Sequence, residues 1–172
     1  SVVDLNFGCP VRKVVSRGAG AALLKDLDQL QKIVTLVKSM STVPIMAKIR
    51  MGWDSESIVA VDAAQAVASG GADAITVHAR TRSQGYSGKA DWKHITRVKE
   101  SVKIPVIGNG DVFDGDSAYQ MFKSTAADGI MLARGTLGNP WIFRQILHFM
   151  QQDQRVNTPD LTERFSVIDR HY

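Results

Sequence analysis

Apolar and polar positions alternate between two periods along the chain. Five short runs are rich in β-branched and aliphatic residues and bounded by turn formers: Val2–Asn6, Ile45–Ile49, Ala74–His78, Val106–Asn109 and Gly129–Leu132. Each predicts a strand. Between them apolar residues recur at helical spacing. Leu27, Leu30, Ile33, Val34 and Val37 make one stripe, Ala60, Ala63, Ala64 and Val67 a second, and Ala118, Met121 and Phe122 a shorter third. Asp26 and Asp114 stand where N-cap carboxylates are expected, and Gly70-Gly71 where a helix should stop. Strands alternating with helices give a parallel sheet, either open and doubly wound or closed into a barrel.

The strand ends favour the barrel. Asn6, Lys48 with Arg50, His78 with Arg80, Asn109 with Asp111, and Arg134 all gather at carboxyl ends of strands, where α/β folds bind ligands. A site drawn from consecutive strands suits a barrel mouth, whereas an open sheet concentrates its site at one switch point. The chain has 172 residues, fewer than the ~250 of a complete eight-stranded barrel. The expected fold is therefore α/β, a TIM (β/α)8 barrel represented by about five C-terminal units over residues 1–152. The opening Ser1-Val2-Val3-Asp4 reads as the middle of a strand rather than a signal peptide, which makes the chain a piece of something longer. Gln151–Thr158 is polar and ends in Thr158-Pro159, a linker, and Thr162–Tyr172 reads as the first turns of another helix. Residues 153–172 are thus expected to hold a linker and the start of a helical domain.

Composition narrows the function classes. A hydrophobic content of 44% supports one packed core. No apolar run approaches the ~18 residues of a membrane span, so no membrane partner is expected. The single cysteine, Cys9, excludes an internal disulfide and suits a reducing, cytoplasmic setting. A net charge of +4 allows an acidic partner such as RNA without requiring one. No metal ion is expected.

Gly108-Asn109-Gly110-Asp111 ends the fourth strand, and Ala133-Arg134-Gly135 ends the fifth. Glycines around polar residues let backbone N–H groups approach an anion. Either stretch alone reads as an ordinary tight turn, but on consecutive strands they favour phosphate binding. Lys48 interrupts an otherwise buried strand and suits a developing anion, or it snorkels to the rim. His78 suits a hydrogen bond to a ring carbonyl, or a satisfied core position. Cys9 lies in Asn6-Phe7-Gly8-Cys9-Pro10, a loop bounded by Gly and Pro on the ligand face, where a thiol serves as general acid or nucleophile; buried packing is the commoner use of the residue type. The loop from Arg80 to Lys89 carries Arg80, Arg82, Lys89 and Tyr86, a mixture that suits phosphate contact and base stacking as well as a mobile polar loop.

The line Asp4-Leu5-Asn6-Phe7-Gly8-Cys9-Pro10, followed by Gly18-Ala19-Gly20-Ala21-Ala22-Leu23-Leu24, resembles the signature of the tRNA-dihydrouridine synthases. So do Lys48-Ile49-Arg50-Met51-Gly52-Trp53, Val77-His78-Ala79-Arg80-Thr81-Arg82 and Val106-Ile107-Gly108-Asn109-Gly110-Asp111. Gly138-Asn139-Pro140-Trp141-Ile142-Phe143 is similar to the bacterial B-type, nitrogen-regulation-like branch. The resemblance implies an oxidoreductase that uses FMN and NADPH to reduce a uridine of tRNA to 5,6-dihydrouridine. Hydride reaches uracil C6 from the reduced flavin, and Cys9 matches the cysteine that protonates C5. Lys48 and His78 match flavin contacts, while Asn109, Gly110, Asp111, Ala133 and Arg134 match the FMN cradle. Asn6 matches a uracil-contacting asparagine, and Arg80 or Arg82 a contact with RNA. Family members also carry earlier strands with a Pro-Met flavin contact, and a helical tRNA-binding domain. A barrel lacking strands would present two sheet edges, through which this chain is expected to self-associate. A flavin barrel acting on a small substrate is the other enzymatic reading, and the Cys9 loop with its Gly-Ala-Gly-Ala sequel argues against it.

Overall fold

The computed structural model describes residues 1–152 and 159–171. Its strands are β1 (Val3–Phe7), β2 (Ile45–Arg50), β3 (Ala74–His78), β4 (Val106–Asn109) and β5 (Gly129–Met131), all parallel and paired in chain order. The expected strands are present with small shifts: β1 begins and ends one residue later, β2 continues to Arg50 and β5 stops at Met131. The helices are α1 (Arg12–Val15), α2 (Leu27–Met40), α3 (Ala60–Ser69), α4 (Lys93–Ser101), α5 (Gly115–Thr125), α6 (Ile142–Gln152) and α7 (Leu161–His171), with 3₁₀ turns at Gly20–Lys25 and Arg134–Thr136.

Successive helices lie side by side: α2 packs on α3, α3 on α4, α4 on α5 and α5 on α6. A strand order without reversal, flanked by helices that follow the same order, is barrel winding; a doubly wound sheet reverses at a switch point. The fold is α/β, an arc of a (β/α) barrel.

The core lies between sheet and helices. Register rows Leu5–Ala47–Ile75–Val106 and Phe7–Ile49–Val77–Gly108 face it, against buried Leu30, Val34, Ala63, Ala64, Val67, Ile95, Val98 and Met121. Gly108 lets α5 close on β4, since an added Cβ would stand 2.6 Å from the Met121 sulfur. Asp26 and Asp114 cap α2 and α5 by accepting from the Gln29 and Ser117 N–H groups at 2.9 and 2.8 Å. Gly70 closes α3.

At the amino ends of the strands one device occurs twice. Asp73 accepts from the Ile45 N–H at 2.7 Å and pairs with Lys38 at 2.7 Å. Asp128 accepts from the Val106 N–H at 2.7 Å and pairs with Lys99 at 2.6 Å. Each carboxylate joins the first residue of one strand to the last turn of the helix before it. The lysine hydrogen bond, then the backbone one, holds each carboxyl below its ordinary range.

Gln151 and Gln152 belong to α6 instead of a linker, and the rest of that expected linker, 153–158, lies outside the described residues. The expected final helix is α7, which begins at Leu161. It is joined to α6 by an Arg144–Glu163 ion pair at 3.0 Å.

Candidate active site

Side chains alternate across a strand, so the residues between the core rows face the other way. One row there is Asn6–Lys48–Thr76–Ile107–Gly129, and the next towards the carboxyl ends is Arg50–His78–Asn109–Met131. Above them the loops after β1, β4 and β5 complete a cleft of about 340 Å³. Asn6, Cys9, Lys48, His78, Asn109, Gly110, Asp111, Ala133 and Arg134, all singled out in the sequence, line it together. Arg80 and Arg82 do not.

The loop of Cys9 is fixed from both sides. Asn6 Oδ1 accepts from the Gly8 and Cys9 N–H groups at 3.1 and 3.0 Å, so the amide nitrogen is the end that Asn6 offers to a ligand. The Cys9 carbonyl accepts from the Ala21 N–H at 3.0 Å. Gly20 makes that approach possible: its φ is +60°, and an added Cβ would stand 2.8 Å from the Cys9 oxygen. Arg50, 2% exposed, donates from Nε to the Gly8 carbonyl at 3.0 Å. Its Nη1 donates to the Thr81 and Gly85 carbonyls, each at 2.8 Å. Sequence reading noted Arg50 only as a polar strand end, because its task lies in loops distant along the chain.

Positive charge is crowded at the floor. Burial, then the Arg50 charge, lowers the Lys48 pKa to about 8, with Asp4 opposing. Burial, followed by Arg50, Lys48 and Arg80, lowers His78 to about 3, so its imidazole is neutral near pH 7. Asp4 is raised by burial, against the pull of Lys48. Thr76, beside Lys48 in the row and fully buried, holds a hydroxyl without a hydrogen-bond partner.

The loops after β4 and β5 interlock. Asn109 Nδ2 donates to the Met131 carbonyl at 2.8 Å. Gly110 has φ +121°, and an added Cβ would meet Ala90 at 2.9 Å and the His78 ring at 3.1 Å. At Gly135 an added Cβ would stand 2.5 Å from the Val112 carbonyl oxygen. The cleft wall there is backbone, flanked by the Arg134 guanidinium and the Tyr86 ring, 4.8 Å apart. Such a wall suits an anion.

Two expectations change in detail. The Asp111 carboxylate accepts from Arg80 Nη2 and the Ala90 N–H at 2.8 Å, and from Arg134 Nη2 at 2.9 Å. An acid spent this way aims two arginines and offers an anion only its backbone. Arg80 is 1% exposed, and its guanidinium donates to the Ser87 and Gly88 carbonyls at 3.1 and 2.6 Å. It braces the loop from beneath, a supporting role that residue type alone does not reveal. Arg82 lies outside the cleft, its guanidinium carbon 4.5 Å from the Trp53 ring centroid.

Known proteins resemble the chain at two levels, fold and sequence. Two solved structures share the fold alone: 6-hydroxypseudooxynicotine amine oxidase from Pseudomonas geniculata, at TM-score 0.63 and 17% identity over 90% of this chain and 26% of that one, and GGGPS from Thermoplasma volcanium, at TM-score 0.52 and 15% identity over 91% and 64%. Sequence relatives are nearer. A protein of Rickettsia conorii named "Probable tRNA-dihydrouridine synthase" is 43% identical over 99% of this chain and 52% of its own length. "tRNA-dihydrouridine synthase B" of Pasteurella multocida is 40% identical over 99% and 51%. The chain thus spans about half the length of the curated relatives it matches. The family model described as Dihydrouridine synthase (Dus) matches residues 1–172, the β1 loop with Cys9 and the interlocked β4 and β5 loops included, and the chain belongs to that family.

Proposed function

We propose that this chain forms the reaction cleft of an enzyme that reduces a uridine of tRNA to 5,6-dihydrouridine, with FMN bound in the cleft and NADPH as reductant. The observation that carries the reading is the Cys9 loop, clamped by Asn6 and Arg50 over a floor that holds Lys48 and His78. The donor set fits FMN. The wall at Gly110 and Gly135, too close for side chains, suits a phosphate together with Ala133 and Arg134. Lys48, His78 and Asn109, which line the same cleft, would hold the ring. Asp111 contributes by fixing Arg134.

When bound, the flavin supplies a hydride for uracil C6. The Cys9 thiol supplies the proton at C5. Asn6 donates from its amide nitrogen to a uracil carbonyl, and the Lys48 cation stabilises the negative charge that builds on the ring. Neutral His78 holds its partner by a hydrogen bond without exchanging charge. The target base leaves its stack to enter the cleft, and the +4 charge of the chain suits a polyanionic substrate. We place this reaction in the cytoplasm, with tRNA; among the described residues no helix is long and apolar enough to cross a membrane.

The test gives the full-length protein FMN, NADPH and unmodified tRNA, and looks by mass spectrometry for a uridine that gains two hydrogens. Cys9→Ala is expected to lower product formation by about 10²–10⁴-fold. Oxidation of NADPH with no change in the tRNA would move the reading to a flavin enzyme of small substrates.

A further inference from the structure

We propose that Lys25, Trp53 and Arg82 form a docking surface for the phosphodiester backbone of RNA, beside the cleft and separate from it; the inference rests on the tRNA reading above. The Lys25 ammonium lies 3.5 Å from the centroid of the Trp53 ring, and the Arg82 guanidinium carbon lies 4.5 Å from it. Among the described residues neither cation is paired with a carboxylate. That choice of partner matters. An aromatic face holds a cation by its quadrupole and leaves the charge whole, where a carboxylate would cancel it. Two uncancelled charges on one indole form a fixed positive spot.

The guanidinium is also held at the ring, its carbon 4.5 Å from the centroid. Arg82 Nε is buried without a hydrogen-bond partner among the described residues, so the terminal nitrogens are the donors left for an acceptor. The two terminal nitrogens of a guanidinium match two oxygens of a phosphate. Lys25 adds a compact second charge.

The spot is built on the loops that shape the reaction cleft. Lys25 ends the 3₁₀ turn whose Ala21 N–H donates to the Cys9 carbonyl at 3.0 Å. The Arg82 N–H donates to the Gly52 carbonyl and the Ser83 N–H to the Trp53 carbonyl, both at 2.9 Å. None of the three lines the cleft. A strand that surrenders one base to the cleft has flanking phosphates to place, and this positive surface stands on the loops that border the cleft.

The experiment measures the affinity of the full-length protein for an unmodified tRNA transcript across a series of salt concentrations. Lys25→Ala and Arg82→Gln are each expected to weaken binding severalfold and to reduce the slope of log affinity against log salt by about one. Trp53→Leu, which keeps an apolar side chain but removes the ring, is expected to lower both quantities by releasing both cations. Melting temperature checks that each variant folds. Trio-dependent affinity and slope support the surface even if no dihydrouridine forms, in which case only the reaction falls. Variants that match the parent in affinity and slope overturn it while the reaction stands. A parent protein that does not bind tRNA overturns both.

Discussion

The buried guanidinium of Arg50 holds the carbonyl of Gly8 at 3.0 Å from Nε, next to the residue on which the proposed chemistry turns. From Nη1 the same group holds Thr81 and Gly85, so one side chain of β2 joins the Cys9 loop to the loop that follows β3.

Replacing Arg50 separates geometry from charge. Arg50→Lys keeps a cation but cannot reach three carbonyls in a planar fork. Each carbonyl left buried and unpaired costs about 1–3 kcal/mol, so denaturant unfolding should show a loss of stability. Dihydrouridine formation is expected to fall as well. A lysine variant with parental turnover and stability would show that charge alone suffices at this position.

Gly135 tests the interlocked cradle. Gly135→Ala drives a methyl group to within 2.5 Å of the Val112 oxygen and should part the β4 and β5 loops. The expected outcome is protein purified with markedly less bound flavin, read from its visible absorbance. Gly129→Ala is the control, since its Cβ meets only Ile107 at 3.6 Å.

The two basic groups of the floor predict a pH dependence. Lys48 falls from 10.5 to about 8 on folding, so between those values the unfolded chain binds the extra proton and stability rises with pH. Lys48→Met should stabilise the protein near pH 7, and its advantage should shrink as pH rises from about 8 to 10.5. Catalysis that relies on the Lys48 charge should decline as pH rises through about 8. His78 falls from 6.5 to about 3, so stability drops as pH is lowered across that window. His78→Gln should flatten the drop in pH-dependent melting.

Asp73 and Asp128 carry the opposite sign. Both carboxyls are held below 3.8 by their lysine and backbone partners, so the stability they contribute is present above that value and lost as pH falls through their folded values. Asp73→Ala or Asp128→Ala should lower the melting temperature at neutral pH, with the difference from the parent shrinking in strong acid. An undiminished difference at low pH would show that the ionised carboxylate is not the stabilising form.

Strand alternation and helical stripes made the strands, α2, α3 and α5 legible, because each carries an apolar face that its own period reveals. Two other helices of the arc went unread, for different reasons. α4 carries only Ile95 and Val98 in a polar segment, which looks like a loop, whereas Ile142, Phe143, Ile146, Leu147 and Met150 of α6 recur at helical spacing and were a signal open to reading. The cleft residues were legible as types at strand ends. What the loops do with them was not: Arg80 reads as an exposed cation and is a buried brace, and Asp111 reads as part of an anion site and is the acid that holds two arginines. Such roles depend on carbonyls that arrive from another part of the chain, and those leave no mark in residue type.

The pairing of Lys48 with Asn6 on one side and Thr76 on the other sets a tolerance that differs sharply along the chain. Loops after the strands absorb an inserted residue at their tips. A single insertion between Ala47 and Lys48 would instead turn the end of β2 over. Lys48 and Arg50 would then enter the layer of Val34 and Val67, and Ile49 would face the ligand. Length variation within this protein's lineage should therefore be confined to the loops, while the spacing from Ile45 to Arg50 stays invariant even where the residues themselves change.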